Sequence, residues 1–131
     1  MRSTLIVFFM LSVFLACSKD YSHLPQISVD FKWPEANTYE TSPEIILKNV
    51  PDSTKSFKIK MYDLDHRWNH GGGTVENDGS NVIPEGALKK YEGPAPFRRS
   101  TRFELSVKAL DENGNVIAFG KKIKEYTIKP I

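Results

Sequence analysis

The densest group of side chains able to do chemistry is Asp63-Leu-Asp65-His66-Arg-Trp-Asn-His70, which runs straight into Gly71-Gly-Gly73. Asp63 and Asp65 stand two apart at the end of a strand-like segment, a spacing that points both carboxylates the same way. Carboxylate and imidazole together suit zinc, so Asp63, Asp65, His66 and His70 form one conceivable ligand set, although neither a cysteine ligand nor a second cluster accompanies them. His70-Gly-Gly-Gly73 has the form of an oxyanion loop, but the Gly-x-Ser-x-Gly elbow that such a loop serves is absent, and Ser80 follows Gly79 without the partner glycine. The same glycines do not make a dinucleotide fingerprint, because Glu76 stands where the third glycine is required. Taken alone, the residues read most simply as a solvated turn, with the acids capping backbone amides and the glycines supplying positive φ.

Strands must position this group. Ser56–Tyr62 alternates, with Phe57, Ile59 and Met61 on one face and Lys58 and Lys60 on the other. Arg102–Ala109 repeats the pattern, with Phe103, Leu105, Val107 and Ala109 inward. Shorter candidates are Ile27–Trp33, Glu44–Leu47, Val116–Phe119 and Lys122–Lys129, separated by turn chemistry at Pro51-Asp-Ser-Thr54 and Asp111-Glu-Asn-Gly114. No stretch carries a sustained helical period, so the fold expected is all-β, an antiparallel sandwich of about six short strands. The segment from His66 to Arg99 holds Gly71-Gly-Gly73, Asn77-Asp-Gly79 and Gly93-Pro-Ala-Pro96 and is expected to be loops in which a site can form.

The first sixteen residues stand apart from that domain. Arg2 precedes an apolar run from Leu5 to Ala16, which is shorter than the roughly 20 residues needed to span a bilayer and suits a signal peptide. Cys17, the single cysteine of the chain, follows at once. The arrangement resembles the bacterial lipobox, with Phe14 where leucine is usual, and implies lipidation at Cys17. The organisation expected is a signal peptide over 1–16, a lipidated tether over 17–26 and a β-sandwich over 27–131. Several acyl chains hold a protein durably in a leaflet where one alone is marginal. The location that follows is the cell envelope, and serine rather than aspartate at position 18 resembles the sorting pattern of enteric bacteria that favours the outer membrane in a Gram-negative cell. Loss of residues 1–16 removes Arg2 and no acid, which takes the formal charge from +2 to +1. That balance gives no reason to expect nucleic acid as a partner. With one cysteine no disulfide forms within the chain, so the fold rests on packing.

A longer set of residues gives the cluster a context. Ser42-Pro-Glu-Ile-Ile-Leu-Lys-Asn-Val-Pro-Asp-Ser-Thr-Lys-Ser-Phe57, then Met61-Tyr-Asp-Leu-Asp65, His70, Tyr91-Glu-Gly-Pro-Ala-Pro96 and Phe103-Glu-Leu-Ser-Val-Lys-Ala-Leu-Asp111 occur in this order. Together they resemble the phosphatidylethanolamine-binding protein family, whose bacterial branch is called Raf kinase inhibitor-like. The resemblance implies an antiparallel sandwich with a small pocket near one end that holds phosphate-type head groups. Carried across by motif, the pocket residues are Asp63, Asp65 and His70, with Gly93, Pro94 and Pro96 from the Gly-Pro-x-Pro loop. This chain departs from the pattern at several points. Leu64 replaces a proline, His66-Arg67 stands where Ala-Pro is usual, and Gly71 follows His70 in place of tryptophan. Thr101 occupies the place of a second histidine and Phe103 that of a tyrosine. The C-terminal helix is missing, and Lys121–Ile131 reads as a strand.

Trp33 and Trp68 are expected as core or lid aromatics, Arg98-Arg99 as a solvated turn beside the Gly-Pro-Ala-Pro loop, and His23 as part of the tether. No nucleophile and base occur at a spacing that supports hydrolysis. The function expected is a non-enzymatic binding module without cofactor or metal, anchored to a membrane, with a site for an anionic or phospholipid head group. The alternative is a lipoprotein that offers a sheet edge or face to another envelope protein.

Overall fold

The computed structural model describes residues 20–95 and 100–127. Eight strands occur among the described residues: β1 (Ser28–Lys32), β2 (Glu44–Lys48), β3 (Ser56–Asp63), β4 (Trp68–Glu76), β5 (Val82–Ile83), β6 (Lys90–Tyr91), β7 (Thr101–Leu110) and β8 (Val116–Tyr126). They form a three-stranded sheet, β1-β2-β5, and a five-stranded sheet, β6-β4-β3-β7-β8. All pairings between these strands are antiparallel. None of the described residues is helical, and no helix among them is long and apolar enough to cross a membrane.

Alternation explains the assembly. Phe57, Ile59 and Met61 of β3 and Phe103, Leu105, Val107 and Ala109 of β7 are buried, and they share one core with Val29, Phe31, Ile45, Leu47 and Ile83 of the smaller sheet. Burying each large apolar side chain contributes about 1.5–3 kcal/mol. This is the all-β antiparallel sandwich that the period-two pattern implies. Among the described residues both sheets and the core cluster lie between Gln26 and Tyr126.

The turns follow their sequence signals. Thr54 N–H donates to Pro51 O at 3.0 Å. Asp111 Oδ1 accepts from the amides of Asn113 and Asn115, both at 2.9 Å, which closes the β7–β8 hairpin with Gly114 at φ 79°.

Three sequence expectations are corrected. The 66–99 segment is not all loop, since β4 fills its first part, and Gly71-Gly-Gly73 lies inside that strand instead of forming a turn. A Cβ on Gly71 would sit 1.8 Å from Lys90 O and one on Gly72 1.9 Å from Ile59 O, so strands pressing in from both sides require bare backbone here. The two C-terminal strand candidates are one continuous β8. The pattern breaks at Gly120 because the run into β1 crosses there; a Cβ would come within 2.2 Å of Ile27 O. Finally, the described part of the tether, 20–26, is laid against β8. Gln26 bridges Phe119 in parallel, and the Tyr21 and Phe119 rings stack at 5.4 Å. Cys17 and the segment 1–16 lie outside the described residues, as do residues 128–131.

Candidate functional site

The C-terminal end of β3, the start of β4, the start of β7 and the end of β8 meet at one end of the larger sheet, because Asp63 pairs with Trp68 and Phe103, and Thr101 pairs with Tyr126. Asp63, the last residue of β3, is 1% exposed. Its Oδ1 accepts the backbone N–H groups of Asp65 at 2.9 Å and His66 at 2.8 Å, forming the turn into β4. Arg67 completes that turn at φ 55°. Oδ2 of Asp63 faces two imidazoles, His66 Nδ1 at 2.9 Å and His70 Nε2 at 3.9 Å. A carboxylate only accepts, so His66 Nδ1 carries the proton in that contact.

His70 is fixed from its other side. Its Nδ1 lies 2.6 Å from the carbonyl of Glu92, which makes Nδ1 the donor, and the ring packs edge-on to Phe103 with centroids 5.1 Å apart. Nε2 is buried without a hydrogen-bond partner. His70 lies on the wall of a cavity of about 210 Å³, together with Trp68, Phe103 and Thr101 from the sheet, Tyr126 from the end of β8, Tyr39, and the run Glu92-Gly93-Pro94-Ala95.

The loop that closes the cavity is tied down by the segment ahead of β2. Gly93 N–H donates to Tyr39 O at 2.7 Å, and Thr38 Oγ1 lies 3.4 Å from Pro94 O and 3.1 Å from Tyr126 Oη. A Cβ at Gly93 would stand 1.8 Å from Thr38 O, so only glycine admits this approach. Beneath the cavity, Trp33 packs edge-on against Phe31, Phe103 and Tyr126 with centroids 5.1–5.5 Å apart. Burial pushes the Tyr91 phenol well above its ordinary range.

Of the residues expected from sequence, His70, Gly93 and Pro94 line the cavity and Asp63 stands behind His70. Pro96 lies outside the described residues. Asp65 takes a different course from Asp63, which corrects the expectation that both carboxylates point alike. Its Oδ1 accepts from Arg102 Nη2 at 2.7 Å and Nε at 3.1 Å, and its Oδ2 from the Arg102 N–H at 2.8 Å. The Arg102 guanidinium holds this carboxyl below the usual carboxylate range. With Asp65 drawn away, the zinc-type set does not assemble; among the described residues no three His, Cys, Asp or Glu side chains are grouped to hold a metal ion.

Thr101, at the place of the second family histidine, is buried at the cavity wall. Trp68 is 57% exposed and forms a rim, while Trp33 belongs to the packing below. Sequence reasoning did not find Tyr39, Glu92 or Tyr126. They lie far apart in the chain, and only the Gly-Pro-Ala-Pro motif beside Glu92 gave a local signal.

No protein-family model matches this sequence, and the curated proteins give no significant match. Solved structures do resemble it. Escherichia coli YbcL, described as a new member of the mammalian phosphatidylethanolamine-binding protein family, is 22% identical, with a TM-score of 0.49 over 69% of this chain and 82% of its own. A homologue of the phosphatidylethanolamine-binding proteins from Chlamydia trachomatis is 16% identical, with a TM-score of 0.56 over 79% of this chain and 99% of its own. The latter match, with the antiparallel two-sheet topology, identifies the architecture: this chain has the fold of the phosphatidylethanolamine-binding proteins.

Proposed function

We propose that this protein is a non-enzymatic binding module of the cell envelope, tethered through lipid on Cys17, and that its end cavity takes a phosphate-bearing head group. One observation carries the reading: His70 lies on the wall of the end cavity with Nδ1 committed to Glu92 O, and its Nε2 has no hydrogen-bond partner among the described residues. An imidazole held in this way has one nitrogen left for a ligand. When the ring carries both protons, Nε2–H donates to a phosphate oxygen in a charge-assisted hydrogen bond, and Asp63 at 3.9 Å offsets the added charge. Trp68, Tyr39 and Tyr126 supply aromatic faces that suit the ammonium end of a zwitterionic head group.

The test is an NMR titration of residues 18–131 with inorganic phosphate and phosphoethanolamine, repeated on His70→Ala. Saturable shifts at His70, Gly93 and Trp68 that vanish in the variant support the reading. Absence of shifts at millimolar ligand overturns it.

A second reading has its own observation. Ile46 and Val82, paired across β2 and β5, are 38% and 39% exposed on the outside of the smaller sheet. Such a patch suits contact with another envelope protein. That contact would not involve His70.

A further inference from the structure

The outside of the five-stranded sheet collects lysines that the net charge of the chain conceals. Residues directly opposed in an antiparallel sheet share a face. One register line runs Lys90–Gly72–Lys60–Ser106–Lys121, and the next runs Thr74–Lys58–Lys108–Phe119. The acids on this face are already beside cations: Glu76 lies 3.9 Å from Lys55, Glu104 lies 3.6 Å from Lys121, and Glu125 is in register with Arg102. Among the described residues no carboxylate pairs with Lys58, Lys60, Lys90 or Lys108. Lys58 and Lys108 oppose each other directly, a like-charge pair that works against the fold in the absence of an anion.

The β6 side of the face is also accessible. Gly71, Gly72 and Gly73 leave a depression of about 490 Å³ beside Lys58, Lys89 and Lys90, where strand backbone is bare of side chains. Tyr62 and Tyr21 hold the ammonium groups of Lys60 and Lys108 at 5.3 and 5.0 Å from their ring centroids, which keeps the charges on this side.

The N-terminal run ends on the same face. Tyr21 stacks on Phe119, in the register line of Lys58 and Lys108, and Cys17 precedes it by four residues. Four residues reach at most about 14 Å, on the scale of the roughly 8–10 Å over which charges act at moderate salt.

We propose that this lysine face docks on an anionic phospholipid surface, so that the tether and the sheet hold the domain flat against the membrane. The tether part of the argument rests on lipidation of Cys17. The charge part does not, and neither depends on the His70 cavity.

The test is co-sedimentation of residues 18–131, which lack the lipid, with phosphatidylcholine vesicles with and without phosphatidylglycerol, at low and at physiological salt. The expected result is binding only with phosphatidylglycerol, weakening with salt. It should fall on the order of thirtyfold in Lys58→Gln/Lys108→Gln, at about fivefold per surface lysine. Lys32→Gln/Lys48→Gln, which removes the same charge from the outside of the smaller sheet, should change it little. Lack of binding at low salt overturns the proposal, as does equal loss in the two double variants. Preference for a soluble polyanion that strips the protein from the vesicles also overturns it. Circular dichroism of both double variants separates lost binding from lost fold.

Discussion

Asp63 and His70 face each other at 3.9 Å, and the aspartate oxygen between them is already engaged at 2.9 Å by His66. Oδ1 of the same carboxylate holds two backbone amides, so one buried side chain supports both the β3–β4 turn and the charge of the cavity histidine. Asp63→Asn keeps an oxygen for the amides and removes the charge. Stability is expected to fall by about 1–3 kcal/mol, the usual cost of weakening a buried charged contact. Phosphate binding is expected to weaken severalfold more than stability loss accounts for. Urea unfolding and phosphate titration on the same sample separate the two effects.

Asp65 and Arg102 form a forked ion pair at the sheet end, which holds the Asp65 carboxyl below its ordinary value. A lowered folded-state pKa means the pair contributes in full above the carboxyl's unfolded pKa and is lost as pH falls through the folded one. The pair should therefore persist at the pH where an unperturbed aspartate is half protonated. Carboxyl carbon shifts of Asp65 against pH give the midpoint, and Arg102→Gln should return it toward the ordinary range.

Gly72 and Gly79 make a matched contrast. Alanine at Gly72 would place Cβ 1.9 Å from Ile59 O, whereas Gly79 has nothing within 4 Å. Gly72→Ala is expected to cost about 3 kcal/mol or more through forced strand displacement. Gly79→Ala pays about 1–2 kcal/mol for its φ of 82° alone. Thermal unfolding of the two variants measures the difference.

Lys58→Gln alone should raise stability by a few tenths of a kcal/mol at low salt, since it relieves the opposition with Lys108. The gain should disappear near molar salt, where exposed charges are screened. Denaturant midpoints at both salt concentrations test it.

Much of this architecture was legible in sequence wherever one sheet face is wet and the other dry. β3 and β7 alternate cleanly because both lie inside the large sheet with lysines outside and Phe57, Ile59, Leu105 and Val107 inside. β4 was illegible because its glycines answer to steric pressure from Lys90 and Ile59, which no local pattern records. Within the site, Asp63, His70, Gly93 and Pro94 belong to short ordered motifs and were found. Tyr39 and Tyr126 reach the cavity only through register and through the Thr38 contacts that draw the loop toward β8. Asp65 misled for a related reason: two-residue spacing fixes direction along a strand, but β3 ends at Asp63 and the chain has already turned.

The parallel bridge between Gln26 and Phe119 has a bearing on how the protein behaves in a crowd of its own copies. β8 is an eleven-residue strand with β7 on one side only. Its other margin is covered near Phe119 by Pro25 and Ile27, which exchange hydrogen bonds of 3.0 and 2.8 Å with it, and farther on by Lys124 reaching Asp30 at 2.8 Å. The run before β1 therefore acts as a selvage on the sheet. A chain clipped by a protease after Ile27 would release the run that makes those bonds, and its open margin would recruit the strand of another molecule.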